Sequence, residues 1–154
     1  MIRHNIDTFM KRFQLDIEEM TGEFFYNARL LGIVASITDY RLCWSVNQLF
    51  RFKFRLNNDI EIQLTKRHRK YYFPIYEYCE PQSSMKHYIY NNQHDGEFLL
   101  PEFRNLDFLW LLKGDPADDE EISAMITSLK KISFVQLVVE LTNEKILNKE
   151  HLIL

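Results

Sequence analysis

Hydrophobic residues are densest between residues 106 and 112, where Asp107 is the only polar residue. Turn-forming residues flank this run, with Pro101 before it and Gly114 after it. A short apolar run bounded in this way is typical of a strand that is covered on both faces, so we predict an interior strand of a sheet. Successive side chains would face opposite layers, with Phe108, Trp110 and Leu112 on one side and Leu109 and Leu111 on the other.

Alternating segments, and a second mostly apolar run at 27–37 that indicates another interior strand, predict further strands on either side of this run. They cover residues 13–17, 27–37, 60–65, 71–79, 86–91 and 134–141. Gly32 indicates a bulge or a close approach of another chain segment in the second of these strands. Pro74 has no backbone donor, so it indicates an edge or a bulge in the strand at 71–79.

Helical spacing of apolar residues predicts two helices. The first runs from about residue 38 to 50, with Trp44 as an apolar exception on its polar side. Ser36 and Asp39 resemble a capping box at its start. The second helix follows the acids at 115–121, which complement the positive end of a helix dipole. Its buried stripe comprises Ile122, Met125, Ile126 and Leu129.

The order of these elements predicts an α+β fold. Two strand-helix-strand units surround an antiparallel meander, which indicates a mostly antiparallel sheet with both helices on one face. The layout is that of a ferredoxin-like or split β-α-β fold with an inserted meander. A length of 154 residues fits one domain over residues 1–154. Residues 1–11 show no clear period, and we expect them to be frayed.

Composition narrows the possible functions. The four glycines are far apart, so the chain lacks the glycine-rich loops that bind dinucleotides or nucleoside phosphates, and we expect no cofactor. A net charge of −3 gives no overall attraction to nucleic acid or anionic lipid. Without a secretory leader or a membrane span, we expect a cytoplasmic protein that does not meet a membrane. Cys43 and Cys79 fit no disulfide or zinc spacing, and we expect both thiols to be buried.

The apolar run at 106–112 overlaps a recognisable motif. Leu100-Pro101-Glu102, then three residues, then Leu106-Asp107-Phe108 resembles the signature of the bacterial IPExxxVDY family, with Leu for Ile, Leu for Val and Phe for Tyr. The resemblance extends over residues 31–33, 39–42, 76–78, 135–136 and 148–153. It implies no activity, cofactor or catalytic residue, because the family has none assigned. We therefore expect a structural role for the motif residues Pro101, Glu102, Leu106, Asp107 and Phe108.

Two clusters of polar residues are weak candidates for chemistry. Glu102 and Asp107 are close enough in sequence to act as an acid and a base, or to hold a cation. The alternative that we favour is that each accepts backbone hydrogen bonds in the turn, with Arg104 as a counterion. The second cluster comprises His87, His94, Asp95 and Glu97. It lacks the ligand spacing of a known metal site, and we expect no metal there.

A basic run suggests a nucleic-acid surface. Lys66, Arg67, Arg69 and Lys70 precede Tyr71-Tyr72-Phe73, and this combination suits the phosphates and bases of single-stranded RNA. The alternative that we favour is a solvated turn whose charges protect a sheet edge.

Tyrosines supply the last candidate surface. Period-two spacing places Tyr72, Tyr76 and Tyr78 on one face of a strand, and Tyr88 and Tyr90 on one face of the next strand. An uncovered face would make these five residues a tyrosine platform for a protein interface. The alternative is a second core layer closed by residues 1–26. We therefore predict a non-catalytic binding or accessory protein, which meets a protein partner or its own copy through an aromatic sheet face or edge.

Overall fold

The structure is a computed structural model, and it describes residues 22, 25–115 and 117–152. The strand predicted at 13–17 and the frayed end predicted at 1–11 lie outside the described residues. No helix within the described ranges is long and apolar enough to cross a membrane.

Eight strands and two α-helices are defined within the described residues. In chain order they are β1 Ala28–Ala35, α1 Asp39–Phe50, β2 Arg55–Lys66, β3 Arg69–Cys79, β4 Lys86–Asn91, β5 Gln93–His94, β6 Glu97–Phe98, β7 Phe108–Lys113, α2 Asp119–Leu129 and β8 Val135–Leu141. Short 3-10 helices lie at Pro101–Phe103, Asn143–Lys145 and Lys149–Leu152. The predicted helices and the strands of the large sheet agree with these bounds to within a few residues, except that β2 begins at Arg55 rather than at residue 60 and includes residues 57–59, where the sequence predicts a turn. The two-residue strands β5 and β6 were not predicted, because such short segments have no period.

The large sheet has the order β2-β3-β4-β7-β1-β8, and every neighbouring pair is antiparallel. Within it, β8-β1-β7-β4 is the strand order of a split β-α-β fold. The hairpin of β2 and β3 extends the sheet beyond β4, and these three strands form the predicted meander. The prediction of a mostly antiparallel α+β fold is confirmed.

Strand β7 lies between β4 and β1, and Phe108 to Leu112 are all buried. Phe108, Trp110 and Leu112 pack with the helices, whereas Leu109 and Leu111 pack on the opposite face. The interior strand and its two faces are therefore as predicted. The opposite face is covered in part by the segments that contain Leu99, Leu100, Ile146 and Leu152.

Gly32 permits the close contact that its position predicted. A Cβ atom at residue 32 would lie 2.3 Å from Cδ1 of Leu106, so the motif leucine packs directly against the backbone of β1. Pro74 also behaves as predicted, because it pairs with Glu61 at the point where the register of β2 shifts.

The helices pack on the sheet through their predicted stripes, but α1 begins differently. Its N-cap is Thr38, which makes no side-chain cap hydrogen bond, so the predicted capping box of Ser36 and Asp39 is wrong. The Asp39 carboxylate instead accepts from Asn91 Nδ2 on β4 at 2.9 Å. At α2, Asp118 is the N-cap and its carboxylate accepts from the Glu121 amide at 2.8 Å.

Candidate functional site

One buried polar residue holds the segment 99–107, which carries the family-like motif. Asn92 is fully buried and follows β4 directly. Its Nδ2 donates to the carbonyl oxygens of Phe103 at 2.7 Å and Leu106 at 2.9 Å, and its Oδ1 accepts from the Leu100 amide at 2.8 Å. Pro101 begins the 3-10 helix of this segment, where the missing donor of proline has no cost.

Glu102 connects this turn to the carboxyl-terminal segment. Its Oε2 accepts from the amides of Leu147 at 2.5 Å and Asn148 at 2.8 Å, and its Oε1 accepts from Asn148 Nδ2 at 3.0 Å. Burial raises the pKa of Glu102, but the hydrogen bonds from Asn148 and from the backbone outweigh it, so the pKa is lowered overall. The acceptor capacity of this carboxylate is thus used on residues 147 and 148.

Asp107 makes a separate set of contacts. Its Oδ2 accepts from the Ala35 amide at 2.9 Å, and its own amide donates to the carbonyl oxygen of Ile33 at 2.9 Å. Arg104 lies over the ring of Phe98, with 5.5 Å between its guanidinium carbon and the ring centroid. Within the described chain, no contact joins the two motif carboxylates, and Arg104 forms a salt bridge with neither.

The five tyrosines do not form one platform. Tyr76 and Tyr78 pack on the helix side of the sheet, whereas Tyr88 and Tyr90 pack on the opposite side. Tyr90 is 0% exposed, and of the five only Tyr72, at 42%, is fully at the surface. The prediction of a single tyrosine platform is therefore wrong, because cross-strand register places the two sets on opposite faces.

The basic run forms the hairpin between β2 and β3, and part of its charge is neutralised. Arg67 and His68 are the turn residues, both with positive φ. Lys66 Nζ pairs with Glu97 Oε1 at 2.8 Å, and Arg69 pairs with Asp95. Within the described ranges no ion pair forms at Arg67 or Lys70. Two of the four predicted RNA contacts are thus engaged by acids.

His87 is a buried polar group whose partners the sequence did not reveal. It is 1% exposed, its Nε2 lies 2.8 Å from Glu80 Oε1, and its Nδ1 accepts from Trp110 Nε1 at 3.1 Å. Because Nδ1 is an acceptor, the ring proton lies on Nε2 and is donated to Glu80. Burial lowers the pKa of His87, although Glu80 opposes this shift. Among the described residues, no cluster of His, Cys, Asp or Glu could hold a metal ion.

The outer face of α1 carries an aromatic stripe, which we define as Tyr40, Arg41, Trp44 and Gln48. Trp44 is 65% exposed and Tyr40 is 63% exposed, one helical turn apart. The opposite side of α1 packs on the sheet through Leu42, Cys43 and Val46. The sequence indicated this surface only through Trp44, the apolar exception on the polar side of the helix.

A basic groove follows α1 at the edge of the sheet, with a volume of about 660 Å³. In the segment 51–55, arginine or lysine alternates with phenylalanine, and Phe52 and Phe54 pack into the core beside Trp110. The groove lining contains Arg51, Lys53, Arg55, Asp59, Glu77 and Cys79. Cys79 is exposed, which corrects the prediction that both thiols are buried. The alternation of basic residues and phenylalanine in the sequence was the pattern that could have revealed this groove.

No protein-family model matches the chain, and no curated protein matches it. The resemblance carried by residues 100–108 therefore stays a prediction.

Proposed function

We propose that the protein is a non-catalytic binding module, which meets a protein partner or a second copy of itself through the aromatic stripe of α1. One observation carries this proposal: the two large aromatic side chains Trp44 and Tyr40 lie more than 60% exposed on one side of a helix. Large exposed apolar groups that adjoin one another mark interaction surfaces far more often than isolated ones do.

The composition of the stripe supports a protein partner. Trp, Tyr and Arg are the residue types that contribute most to binding energy at protein interfaces, and the stripe contains one of each. The helix is also held firmly, which reduces the entropy lost on binding. At its carboxyl end, Asn47 Oδ1 accepts from the Phe54 amide at 2.8 Å, and Asn47 Nδ2 donates to the Phe54 carbonyl oxygen at 3.2 Å.

The contacts of the motif carboxylates support a non-catalytic role. Glu102 and Asp107 both accept hydrogen bonds from backbone amides, and these bonds tie separate chain segments together. A general base needs a lone pair that faces a substrate. The alternative of an enzyme at these two residues has no further observation in its favour.

The test compares Y40A/W44A with the control Y72A, in which another exposed tyrosine is removed from β3. Sedimentation velocity reports self-association, and a photo-crosslinking residue at position 48 in the full chain captures other partners. A hot-spot aromatic residue contributes about 2 kcal/mol or more, so even one hot spot within the pair makes Y40A/W44A weaken association at least about 30-fold, while Y72A leaves it unchanged. No self-association together with no crosslink, or equal association in Y40A/W44A, would contradict the proposal.

Single-stranded RNA binding is the second candidate function. The basic groove is a better candidate surface for it than the predicted hairpin at residues 66–70. Arg51, Lys53 and Arg55 form no ion pair within the described part of the chain, whereas Lys66 and Arg69 do. The exposed ring of Trp44 lies on α1, the helix that Arg51 caps, and is available to stack on a base. Asp59 and Glu77 reduce the positive charge of the groove.

Fluorescence anisotropy of a labelled oligouridine at two salt concentrations tests this candidate. R51E/K53E should weaken salt-sensitive binding about tenfold or more, and R67E/K70E is the charge-matched control at the hairpin. A larger effect of R67E/K70E would return the RNA surface to the hairpin. Absence of salt-sensitive binding by the unmodified chain would reject RNA binding altogether.

We further propose that the chain belongs to the IPExxxVDY family, acts in the cytoplasm and forms one domain. The support for membership is the motif itself, together with the structural contacts made by its residues. None of these proposals assigns a reaction.

A further inference from the structure

A cavity of about 500 Å³ lies between the sheet and the first turns of α2. Its floor is apolar and reaches the buried residues Met85 and Leu112, with Phe52 and Met125 beside them. Cavities of about 300–1,000 Å³ with apolar walls and a few converging polar groups are the usual sites of small ligands. The cavity shares no residue with the aromatic stripe of α1.

The polar groups around this floor are mostly acids. Glu80, Asp115 and Glu121 line the cavity with Ser83 and His87, and no lysine or arginine is found among the described lining residues. His87 contributes no positive charge, because its Nδ1 accepts a hydrogen bond from Trp110. Among the described lining residues, two polar contacts join side chains: Glu80 to His87 at 2.8 Å and Ser83 Oγ to Asp115 Oδ2 at 3.4 Å.

Among the described residues, neither Asp115 nor Glu121 takes part in an ion pair, and Glu80 pairs with His87. Arg29 approaches from β1, where its Nη1 donates to the Ala117 carbonyl oxygen at 2.9 Å. Its guanidinium is already paired with Glu140 and Asp119. The amino end of α2 is capped by Asp118, so it offers no free donor at the Glu121 amide. The cavity therefore combines an apolar interior with a negative potential.

We propose that this cavity binds a cationic amphipathic ligand: an ammonium or guanidinium group on an aliphatic chain. The aliphatic part replaces water on the methionine and phenylalanine side chains of the floor. The cation lies between the carboxylates of Glu121 and Asp115, and Glu80 keeps its second carboxylate oxygen for it while its first accepts from His87. An anion of the same shape would face three carboxylates, and a neutral analogue would gain only the apolar contact.

Isothermal titration of the full chain with hexylamine, hexanol and hexanoate tests this proposal. Hexylamine should bind at least tenfold more tightly than either analogue. Each exposed carboxylate at the rim increases the affinity for hexylamine by up to about fivefold. E121Q should therefore weaken hexylamine binding by up to that factor, and D115N/E121Q should weaken it further. E120Q is the matched control, because Glu120 precedes Glu121 in the same turn, is exposed and does not line the cavity.

A second pair of variants tests the volume without changing the charge. A124L adds bulk where Ala124 lines the cavity, and S123L adds it one residue earlier outside the lining. We expect A124L to abolish hexylamine binding and S123L to leave it unchanged, with folding checked by circular dichroism.

A parallel titration with capped lysine distinguishes the two possible sources of the cation, a free amine and a lysine side chain of a polypeptide. Binding of both amines supports the proposal with a polypeptide lysine as ligand, and binding of hexylamine alone supports it with a free amine.

The proposal is overturned if hexylamine does not bind, if hexanol binds equally well, or if E120Q and S123L have the same effects as E121Q and A124L. Association through α1 is measured separately, so either proposal can fail while the other stands.

Discussion

Replacing Asn92 by aspartate tests whether this residue holds the motif segment. N92D keeps the shape of the side chain but exchanges the Nδ2 donor for an oxygen. That oxygen would lie 2.7 Å from the Phe103 carbonyl oxygen and 2.9 Å from the Leu106 carbonyl oxygen, at a site with no access to water. Acceptors at these distances repel one another, so the carboxyl group in N92D has to be protonated in the folded state.

The structure bounds the cost of this change. Holding the carboxyl of N92D protonated at pH 7, against a pKa of about 3.9 in the unfolded chain, costs about 4 kcal/mol. The single proton serves only one of the two carbonyl oxygens, which costs about 1 kcal/mol more. A total of about 5 kcal/mol is comparable with the whole stability of many small domains. Because the folded-state pKa of this group is raised, the stability of N92D is retained below about pH 4 and is lost as the pH rises.

Urea unfolding at about pH 7 and about pH 4.5, compared with the unmodified chain at each pH, measures this effect. We expect the deficit of N92D to fall from about 5 to about 2 kcal/mol on acidification. N105D is the control, because Asn105 is exposed in the same segment and its substitution should cost less than about 0.5 kcal/mol. A deficit of N92D that is small at both pH values, or that grows on acidification, would refute the role assigned to Asn92.

Three further predictions follow from positions elsewhere in the fold. G114A should destabilise the chain by more than about 2 kcal/mol in urea, because residue 114 has a φ of 123° and a Cβ there would lie 2.3 Å from the Ser84 carbonyl oxygen. The pKa of His87 is lower in the folded chain than in the unfolded chain, so the unfolded chain takes up a proton first as the pH falls. The free energy of unfolding therefore decreases below about pH 6.5, by at most about 2 kcal/mol at pH 5. H87Q, whose amide can still accept from Trp110, should lack that part of the pH dependence, and an identical dependence would contradict the prediction. R29A should lower the free energy of unfolding by about 1–3 kcal/mol, because the salt bridge of Arg29 to Glu140 on β8 is partly buried, and an unchanged thermal midpoint would show that this bridge contributes nothing.

The sequence predicted the elements well because their patterns are local. The run at 106–112 is apolar on both faces, and only an interior strand satisfies it. The stripes of α1 and α2 likewise follow from helical spacing within each segment. The strand order was also accessible, since two strand-helix-strand units of the same chain favour few arrangements.

The tyrosine prediction failed because it depended on register between strands. Spacing within β3 places Tyr76 and Tyr78 together, and spacing within β4 places Tyr88 and Tyr90 together. The relation between these pairs is fixed only by pairing, in which Tyr76 lies opposite Ile89. A shift of one residue would have brought all four tyrosines to one face. The sequence contains no turn short enough to fix that register.

The candidate sites were hidden for a related reason. The contact of His87 with Trp110 joins residues 23 apart in sequence, and the cavity beside it also needs α2. Neither follows from the spacing of residues along one element. Trp44 was visible as an anomaly, because a tryptophan on the polar side of a helix contradicts the apolar stripe.

The contacts of the motif indicate why a recognisable sequence need not mark an active site. Asp107 binds the end of β1, Asn92 fixes the turn after β4, and Glu102 binds residues 147 and 148. These bonds join segments that are distant in sequence, and they add to the backbone hydrogen bonds that link Asp107 with Ile33 and with Asn92. Side chains with this role need a fixed spacing, because each must reach a particular backbone amide, and a catalytic set would show the same regularity. Free acceptors and access to substrate distinguish the two cases, and in the described part of the chain the candidate binding surfaces are the aromatic stripe of α1, the basic groove and the acidic cavity.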